Sequence, residues 1–297
     1  MKENHQNSRR AKNIILTGAP GTGKTYLARD IAREMTEQSF PNDQLGFVQF
    51  HPAYDYTDFV EGLKPVNDKG QIAFELRNGV FRTFCNKAKE EGKKAKEEER
   101  DEKPFVFVID EINRADLSRV FGELFYALDP DYRGEDGGVT TQYAALRDES
   151  DGEFYVPKNV YIIGTMNDID RSVESMDFAL RRRFAWYQVE ADEGRFDLLM
   201  QNVLQDNSEL KNEARRRYIR LNEEIKSAEG LGQSYQIGPA YYLKLKEYAS
   251  DSAIWDSFWK RHLETLIREY VRGMPNAEEQ ITTFRMAYDN PSVSTQP

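Results

Sequence analysis

Residues 18–25 read Gly-Ala-Pro-Gly-Thr-Gly-Lys-Thr, a complete phosphate-binding loop. It lies between an apolar run, Ile14-Ile15-Leu16, and a stretch from Tyr26 to Ala32 with apolar side chains at helical spacing. Strand, loop and helix therefore occur in the order the motif requires, which places the loop at the carboxyl end of a buried strand. The glycines let the backbone wrap close to phosphates with its N–H groups pointing inward, so Gly18, Pro20, Gly21, Thr22 and Gly23 are candidate cradle positions, with Tyr26 just beyond. Lys24 can reach β/γ oxygens and Thr25 can offer its hydroxyl to Mg²⁺. The expected ligand is a nucleoside triphosphate.

Hydrolysis needs a second site, and Phe105-Val106-Phe107-Val108-Ile109-Asp110-Glu111 supplies one. Five consecutive apolar residues make a strand buried on both faces, and the two acids fall at its ligand-facing end. Asp110 is placed to hold the Mg²⁺ shell and Glu111 to orient and deprotonate the attacking water. A third buried strand, Val160 to Gly164, leads to Asn167, a candidate hydrogen-bonding partner of that water or of the γ-phosphate. Arg181, Arg182 and Arg183 close a short helical pattern from Ser172 to Leu180. One of them is a candidate arginine finger acting on a neighbouring subunit's triphosphate; the other reading is a basic cap on a helix C-terminus.

Strand patterns at Asn13 to Thr17, Leu45 to Phe50, Phe105 to Ile109, Val160 to Gly164 and Ala185 to Val189 alternate with helical ones, the mark of a parallel sheet covered by helices. Beyond Ala191 only helical stretches follow: Arg195 to Gln205, Ser208 to Ala228, Pro239 to Ala249, Ser252 to Val271 and Ala277 to Tyr288. The expected organisation is an α/β nucleotide-binding domain over 1–190 and a small all-helical domain over 191–297, ending in a disordered Asn290 to Pro297. Residues 67–81 read as a hairpin, with Gln71 to Leu76 alternating ahead of the turn pair Asn78-Gly79. The glycine-rich Asp131 to Val156 reads as a second hairpin or a mobile loop, and Lys87 to Lys103 as a solvated helical extension.

With 39% apolar residues the 297-residue chain can bury a sizeable core, while 31% charged residues and a mean hydropathy of −0.75 give it a solvated exterior. No apolar run approaches 18 residues and the N-terminus carries no secretory pattern, so the expected setting is cytoplasmic and free of membrane. Cys85 is the single cysteine and reads as a core residue; with three scattered histidines, no zinc site is expected. The net charge of −10 argues against a general nucleic-acid-binding surface. Arg114, Arg119, Arg133 and Arg181 to Arg183 all fall near the nucleotide-side edge, whereas Arg215-Arg216-Arg217 reads as a solvated face.

Three segments taken together, Asp110 to Asp116 (DEINRAD), Met166 to Ser172 (MNDIDRS) and Ala179 to Phe184 (ALRRRF), resemble the McrB family of AAA+ proteins. So do Phe47 to Gly62, Phe154 to Tyr161 and Tyr235 to Tyr242, and the resemblance runs from about Asn13 to Tyr242. It implies an AAA+ P-loop three-layer sandwich with a parallel sheet, followed by a small helical lid. It also implies the motor subunit of a modification-dependent restriction system, similar to a hexameric GTPase ring that drives DNA translocation beside a separate McrC-type nuclease. Lys24, Thr25, Asp110, Glu111 and Asn167 carry over with independent chemical reasons, whereas Asp168, Asp170 and Arg171 rest on the family pattern. Only twelve residues precede the first strand, which leaves these 297 residues no room for the family's DNA-reading domain.

The phosphate loop is silent on the base; resemblance favours GTP over the ATP used by most AAA+ proteins. A purine pocket is expected between Arg10 to Asn13 and the lid around Ile237 to Tyr242, with Ile237 and Gly238 as candidate contacts. Two other readings stay open: an ATP-dependent remodeller of protein substrates, and a nucleotide-gated assembly switch with little intrinsic turnover.

Overall fold

The computed structural model describes residues 11–148, 153–169, 178–203, 207–249 and 251–290. It divides into two compact units, one built on residues up to 16, 25–166 and 170–187, the other on 17–24, 167–169 and 188 onward.

The first unit contains a five-stranded sheet. Its elements in chain order are β1 (Asn13–Thr17), α1 (Lys24–Thr36), β2 (Leu45–Gln49), α2 (Tyr56–Phe59), β3 (Glu61–Asp68), β4 (Gln71–Asn78), α3 (Val80–Glu97), β5 (Phe105–Asp110), α4 (Leu117–Phe121), α5 (Leu124–Ala127), β6 (Val160–Thr165), α6 (Phe178–Arg181) and β7 (Ala185–Gln188). The strand order is β2-β5-β6-β1-β7, and β2/β5, β5/β6 and β6/β1 pair in parallel. β1 is buried throughout and β5 up to Ile109, the continuous apolar reading of strands covered on both faces. β6 lies between β5 and β1, so the carboxyl ends of the strands bearing the acids and the phosphate loop flank that of β6.

On one side of this sheet, α3 buries Phe81, Phe84, Cys85 and Ala88 at helical spacing. Phe59 stacks on Phe81 with centroids 4.8 Å apart and meets Phe121 edge-on at 4.9 Å, while Phe81 meets Phe107 at 5.1 Å. Each such pair is worth roughly 0.5–1.5 kcal/mol beyond its buried area. Cys85 sits in this core with no exposure, and burial pushes its thiol up to about 12, as an inert packing residue requires.

Three expectations are corrected in this unit. The hairpin exists as β3/β4, but Asp68 pairs with Gln71, so its turn is Lys69-Gly70, both at positive φ (52° and 87°), and not Asn78-Gly79. That is a two-residue turn of the primed type. Gly79 instead precedes α3, where a Cβ would meet the Phe59 carbonyl carbon at 2.3 Å. Secondly, the described part of the 131–156 segment shows short 3₁₀ turns at Pro130–Tyr132, Glu135–Gly137 and Ala144–Leu146 and one antiparallel bridge, Val139 to Phe154, in place of a regular hairpin ladder. Thirdly, Arg133 is not a nucleotide-edge residue. It is 2% exposed and donates to Leu128 O, Val160 O and Asn13 Oδ1, the last at 2.6 Å.

The second unit contains α7 (Glu193–Val203), α8 (Ser208–Ser227), a 3₁₀ segment (Pro239–Tyr248), α9 (Ile254–Phe258), a π-helical turn (Trp259–Leu263), α10 (Glu264–Tyr270) and α11 (Ala277–Asp289). Its core gathers Phe196, Tyr218, Tyr242, Phe258, Phe284 and Tyr288. One expected helix differs, since Pro239 to Ala249 winds as 3₁₀; Ser252 to Val271 is helical without interruption from Ile254 to Tyr270, with a π turn at its middle. The Arg215-Arg216-Arg217 triplet also splits. Arg215 and Arg216 form surface ion pairs, but Arg217 is buried, with its guanidinium over Trp255 (4.6 Å) and Tyr288 (4.9 Å) and bonded to Tyr288 O at 2.9 Å. The expected disorder of Asn290 to Pro297, apart from Asn290 itself, and the end of the Arg195 to Gln205 helix lie outside the described residues. Among the described residues no helix is long and apolar enough to cross a membrane.

Candidate active site

In the second unit the phosphate loop is folded around its own lysine. Lys24 is 7% exposed and its Nζ donates to Gly18 O at 2.9 Å and Ala19 O at 2.8 Å, while Thr22 Oγ1 also donates to Ala19 O. A buried ammonium is tolerated because carbonyl oxygens receive its protons. Gly23, at φ 85° with open space where a Cβ would be, gives the loop the left-handed step that turns successive N–H groups to one side.

The outside of the loop is held by the segment after α8. Gly238 N donates to Pro20 O and Ala240 N to Gly21 O, each at 3.0 Å. This contact needs a glycine for space: a Cβ on Gly238 would lie 2.0 Å from Gly21 C and 2.2 Å from Thr22 N. Asn222, 4% exposed on α8, fixes the same segment by bonding both backbone groups of Ile237, accepting from its N at 2.6 Å and donating to its O at 3.0 Å. Ile237 and Gly238 thus act on the loop through the backbone, with the Ile237 side chain buried among the helices.

In the first unit the acidic pair is tied to the first turn of α1 and to the end of β6. Asp110 Oδ1 accepts from Thr25 Oγ1 and from Thr165 Oγ1, both at 2.6 Å, the short length of charge-assisted bonds. Glu111 has φ 53° and ψ 47°, a left-handed backbone that costs a non-glycine residue roughly 1–2 kcal/mol. Its N–H donates to Thr165 Oγ1 at 3.2 Å, and Arg114 Nε lies 3.3 Å from its Oε2.

These residues fit a Mg²⁺–nucleotide. Thr25 gives its only proton to Asp110, which leaves its lone pairs for a hard cation, and all the candidate donors are oxygens. Among the described residues no group of three or more acidic, histidine or cysteine side chains could hold a metal alone. Mg²⁺ in nucleotide sites keeps one or two protein oxygens and takes the rest from phosphates and water.

The other candidates are distributed as follows. Asn167 belongs to the same unit as the phosphate loop. Tyr26 is 65% exposed on the first turn of α1. Arg181 is exposed with its guanidinium over Trp186 at 5.0 Å, Arg182 is exposed, and Arg183 is half-buried over Phe125 at 5.0 Å. Asp170, Arg171 and Arg10 lie outside the described residues. Asn13, expected at the purine pocket, is 2% exposed and fully engaged within its own unit: it donates to Leu128 O and Arg183 O and accepts from Arg133. Thr165 and Asn222 were not legible as site supports, although Thr165 ends an apolar strand and Asn222 interrupts the apolar face formed by Tyr218, Leu221 and Ile225.

A phosphate loop after β1, an acidic pair at the end of β5 and a hydroxyl at the end of the strand between them define a P-loop nucleoside triphosphatase of the AAA+ class. The chain belongs to the AAA domain family, dynein-related subfamily, whose model matches residues 13–184. It is 38% identical over 277 residues to the Type IV methyl-directed restriction enzyme EcoKMcrB subunit of Escherichia coli K12, covering 91% of this chain and 56% of that protein. It is 28% identical over 213 residues to the Type II restriction enzyme BsuMI component YdiS of Bacillus subtilis 168, covering 62% and 59%. The chain thus spans little more than half the length of these relatives. Among solved structures, a DNA polymerase III gamma subunit-related protein from Thermotoga maritima aligns over 97% of this chain and 91% of that one, with 9% identity and a TM-score of 0.40.

Proposed function

We propose that this chain is the nucleotide-hydrolysing motor module of a modification-dependent DNA restriction system, using GTP in preference to ATP. It works as a ring-forming homo-oligomer with a McrC-type nuclease subunit, which meets DNA through the assembly. Residues 1–190 are its nucleotide-binding domain and 191–297 its lid. The observation that carries hydrolysis is the hydrogen-bonded chain Thr25–Asp110–Thr165–Glu111, which presents a metal-binding hydroxyl and a base together. What supports the restriction setting is similarity to the EcoKMcrB subunit over 91% of the chain.

In this reading the N–H groups of 18–23 and Lys24 bind the β/γ-phosphates, while Thr25 and Asp110 hold the Mg²⁺ shell. Bound Mg²⁺ supplies positive charge at the phosphate oxygens as the transfer proceeds. Glu111 accepts the proton of the attacking water on its carboxylate, with Asn167 orienting that water. An arginine of the 181–183 group offsets developing charge on a neighbouring subunit's nucleotide.

Calorimetry of Mg²⁺-dependent GTP and ATP binding, with oligomer mass recorded under each, tests the proposal. GTP preference with ring formation is expected; ATP preference would transfer support to a protein remodeller. Glu111→Gln should keep nucleotide affinity and lose about 10²–10⁴-fold in turnover. Turnover near wild type would reject the role of Glu111.

A further inference from the structure

We infer that Thr165 is a positioning residue for the acidic pair: its hydroxyl selects which oxygen of Asp110 faces the metal and ties down the backbone from which Glu111 acts. The inference rests on the nucleoside-triphosphatase reading and assigns a role within that same site. Thr165 is the last residue of β6 and 2% exposed. In the sheet it pairs with Leu16 of β1 while the preceding Gly164 pairs with Ile109 of β5, so β6 ends between the strand of the loop and the strand of the acids.

A threonine hydroxyl has one proton and two lone pairs. Thr165 gives its proton to Asp110 Oδ1 at 2.6 Å, so only its lone pairs face Glu111, whose N–H donates to it at 3.2 Å. The two bonds define a single hydroxyl orientation. The Thr25 hydroxyl is the second donor to the same Oδ1, also at 2.6 Å. Asp110 Oδ2 accepts no hydrogen bond from the described residues, so the carboxylate is turned with one oxygen occupied by hydroxyls and the other left for the metal's water shell. Glu111 stands in a left-handed conformation that persists only where its surroundings hold it. The bond to Thr165 holds its N–H, and Arg114 N, which donates to Glu111 O at 2.9 Å, holds its carbonyl. Removing the Thr165 hydroxyl therefore leaves Asp110 Oδ1 with the Thr25 hydroxyl in place of two donors, which loosens the carboxylate's orientation, and takes away the acceptor of the Glu111 N–H.

The test compares Thr165→Val, which keeps the shape and loses the hydroxyl, with Thr165→Ser, which keeps the hydroxyl, in the whole chain. Thermal unfolding, Mg²⁺-free nucleotide affinity, Mg²⁺ titration by calorimetry, and kcat and KM are recorded. Thr165→Val should unfold cooperatively and bind Mg²⁺-free nucleotide within about threefold of wild type. It should need about tenfold more Mg²⁺ and lose about 10–100-fold in kcat with little change in KM, the scale expected when a group supporting a metal ligand is removed. Thr165→Ser should stay within about threefold on every measure.

A Thr165→Val protein with wild-type Mg²⁺ dependence and kcat overturns the inference. So does a Thr165→Ser protein as impaired as Thr165→Val, because shape and not the hydroxyl would then matter. If Thr165→Val does not fold, Thr165→Ala, which also lacks the hydroxyl, replaces it, and wild-type Mg²⁺ dependence there overturns the inference equally. Absence of hydrolysis in the wild type would defeat the functional reading alone, since the Mg²⁺ titration still decides the part played by Thr165.

Discussion

Replacing Gly238 by alanine should weaken nucleotide binding by about 100-fold without unfolding the protein. Gly238 has φ −69° and ψ 152°, an ordinary extended conformation, so alanine adds no backbone strain of its own. The obstacle is space: the new Cβ would sit 2.0 Å from Gly21 C, 2.2 Å from Thr22 N and 2.3 Å from Gly21 O, all of them backbone atoms of the phosphate loop. Ordinary contact begins at 3.4 Å, so one side must retreat by 3.4 − 2.0 = 1.4 Å. The 237–238 segment is pinned by the paired bonds from Asn222, which leaves the loop to move. Such a shift stretches the bonds from Gly238 N to Pro20 O and from Ala240 N to Gly21 O, together worth about 2 kcal/mol. It also misplaces the phosphate-binding N–H groups by over an ångström, a displacement that can cost about 10²-fold. The loss corresponds to about 2.7 kcal/mol of binding free energy. Calorimetry with Mg²⁺–GTP and Mg²⁺–ATP measures it, and Gly194→Ala serves as control. Gly194 lies in the first turn of α7 with only the Asp192 side chain 3.2 Å from its Cβ position, so alanine there should leave affinity unchanged. Wild-type affinity in Gly238→Ala would refute the claim that this segment sets the shape of the binding loop.

Glu61 is fully buried and accepts from Arg82 Nη1 and Arg147 Nε, each at 2.7 Å; Glu61→Ala leaves a guanidinium buried without its carboxylate and should cost about 3–5 kcal/mol, read from the denaturant midpoint. A change below about 1 kcal/mol would mean the pair is not buried as described. His262, bonded to the Tyr248 hydroxyl at 2.8 Å, has its pKa lowered chiefly by burial, with Lys244 and Arg261 adding to the effect and Glu247 opposing it. The unfolded chain therefore binds a proton at this residue more readily than the folded one. Its contribution is complete above the usual histidine range and is lost as pH falls through and below that range. Thermal scans between about pH 7.5 and pH 5 should show a loss that shrinks in His262→Gln, and identical pH slopes in the two proteins would contradict this assignment.

The parts of the fold that could be read from the sequence are those where one physical requirement dominates. Burial on both faces forces β1 and β5 to be unbroken apolar runs, and their limits follow from the polar residues at each end. The hairpin turn was misplaced because Asn78-Gly79 is the stronger primed-turn sequence, and local chemistry taken alone favours it over Lys69-Gly70. The choice was made elsewhere, by Asn78 accepting from Arg147 Nη2 and by the close passage of Gly79 against Phe59. Charged residues were misread for a related reason. Arg133 and Arg217 look like surface residues, yet each is desolvated and satisfied by carbonyl oxygens distant in sequence, Val160 O for one and Tyr288 O for the other. That exchange of water for backbone acceptors leaves no periodic trace.

The division within the site is similar. Lys24, Thr25, Asp110 and Glu111 are legible because each would touch phosphate, metal or water, and that chemistry admits few residue types at fixed spacing. Thr165, Asn222 and Asn13 act on other protein groups, so many residue types could stand at such positions in principle, and only the partner decides. Thr165 has its partner 55 residues back at Asp110, and Asn13 has its partner 120 residues ahead at Arg133. These supports are also where small substitutions discriminate best, because a hydroxyl or an amide can be removed while the side chain's volume is kept. A Thr165→Val protein that binds nucleotide but demands more Mg²⁺, beside a Gly238→Ala protein that binds poorly at any Mg²⁺ concentration, would separate the two halves of the site: one orients the acids, the other shapes the loop.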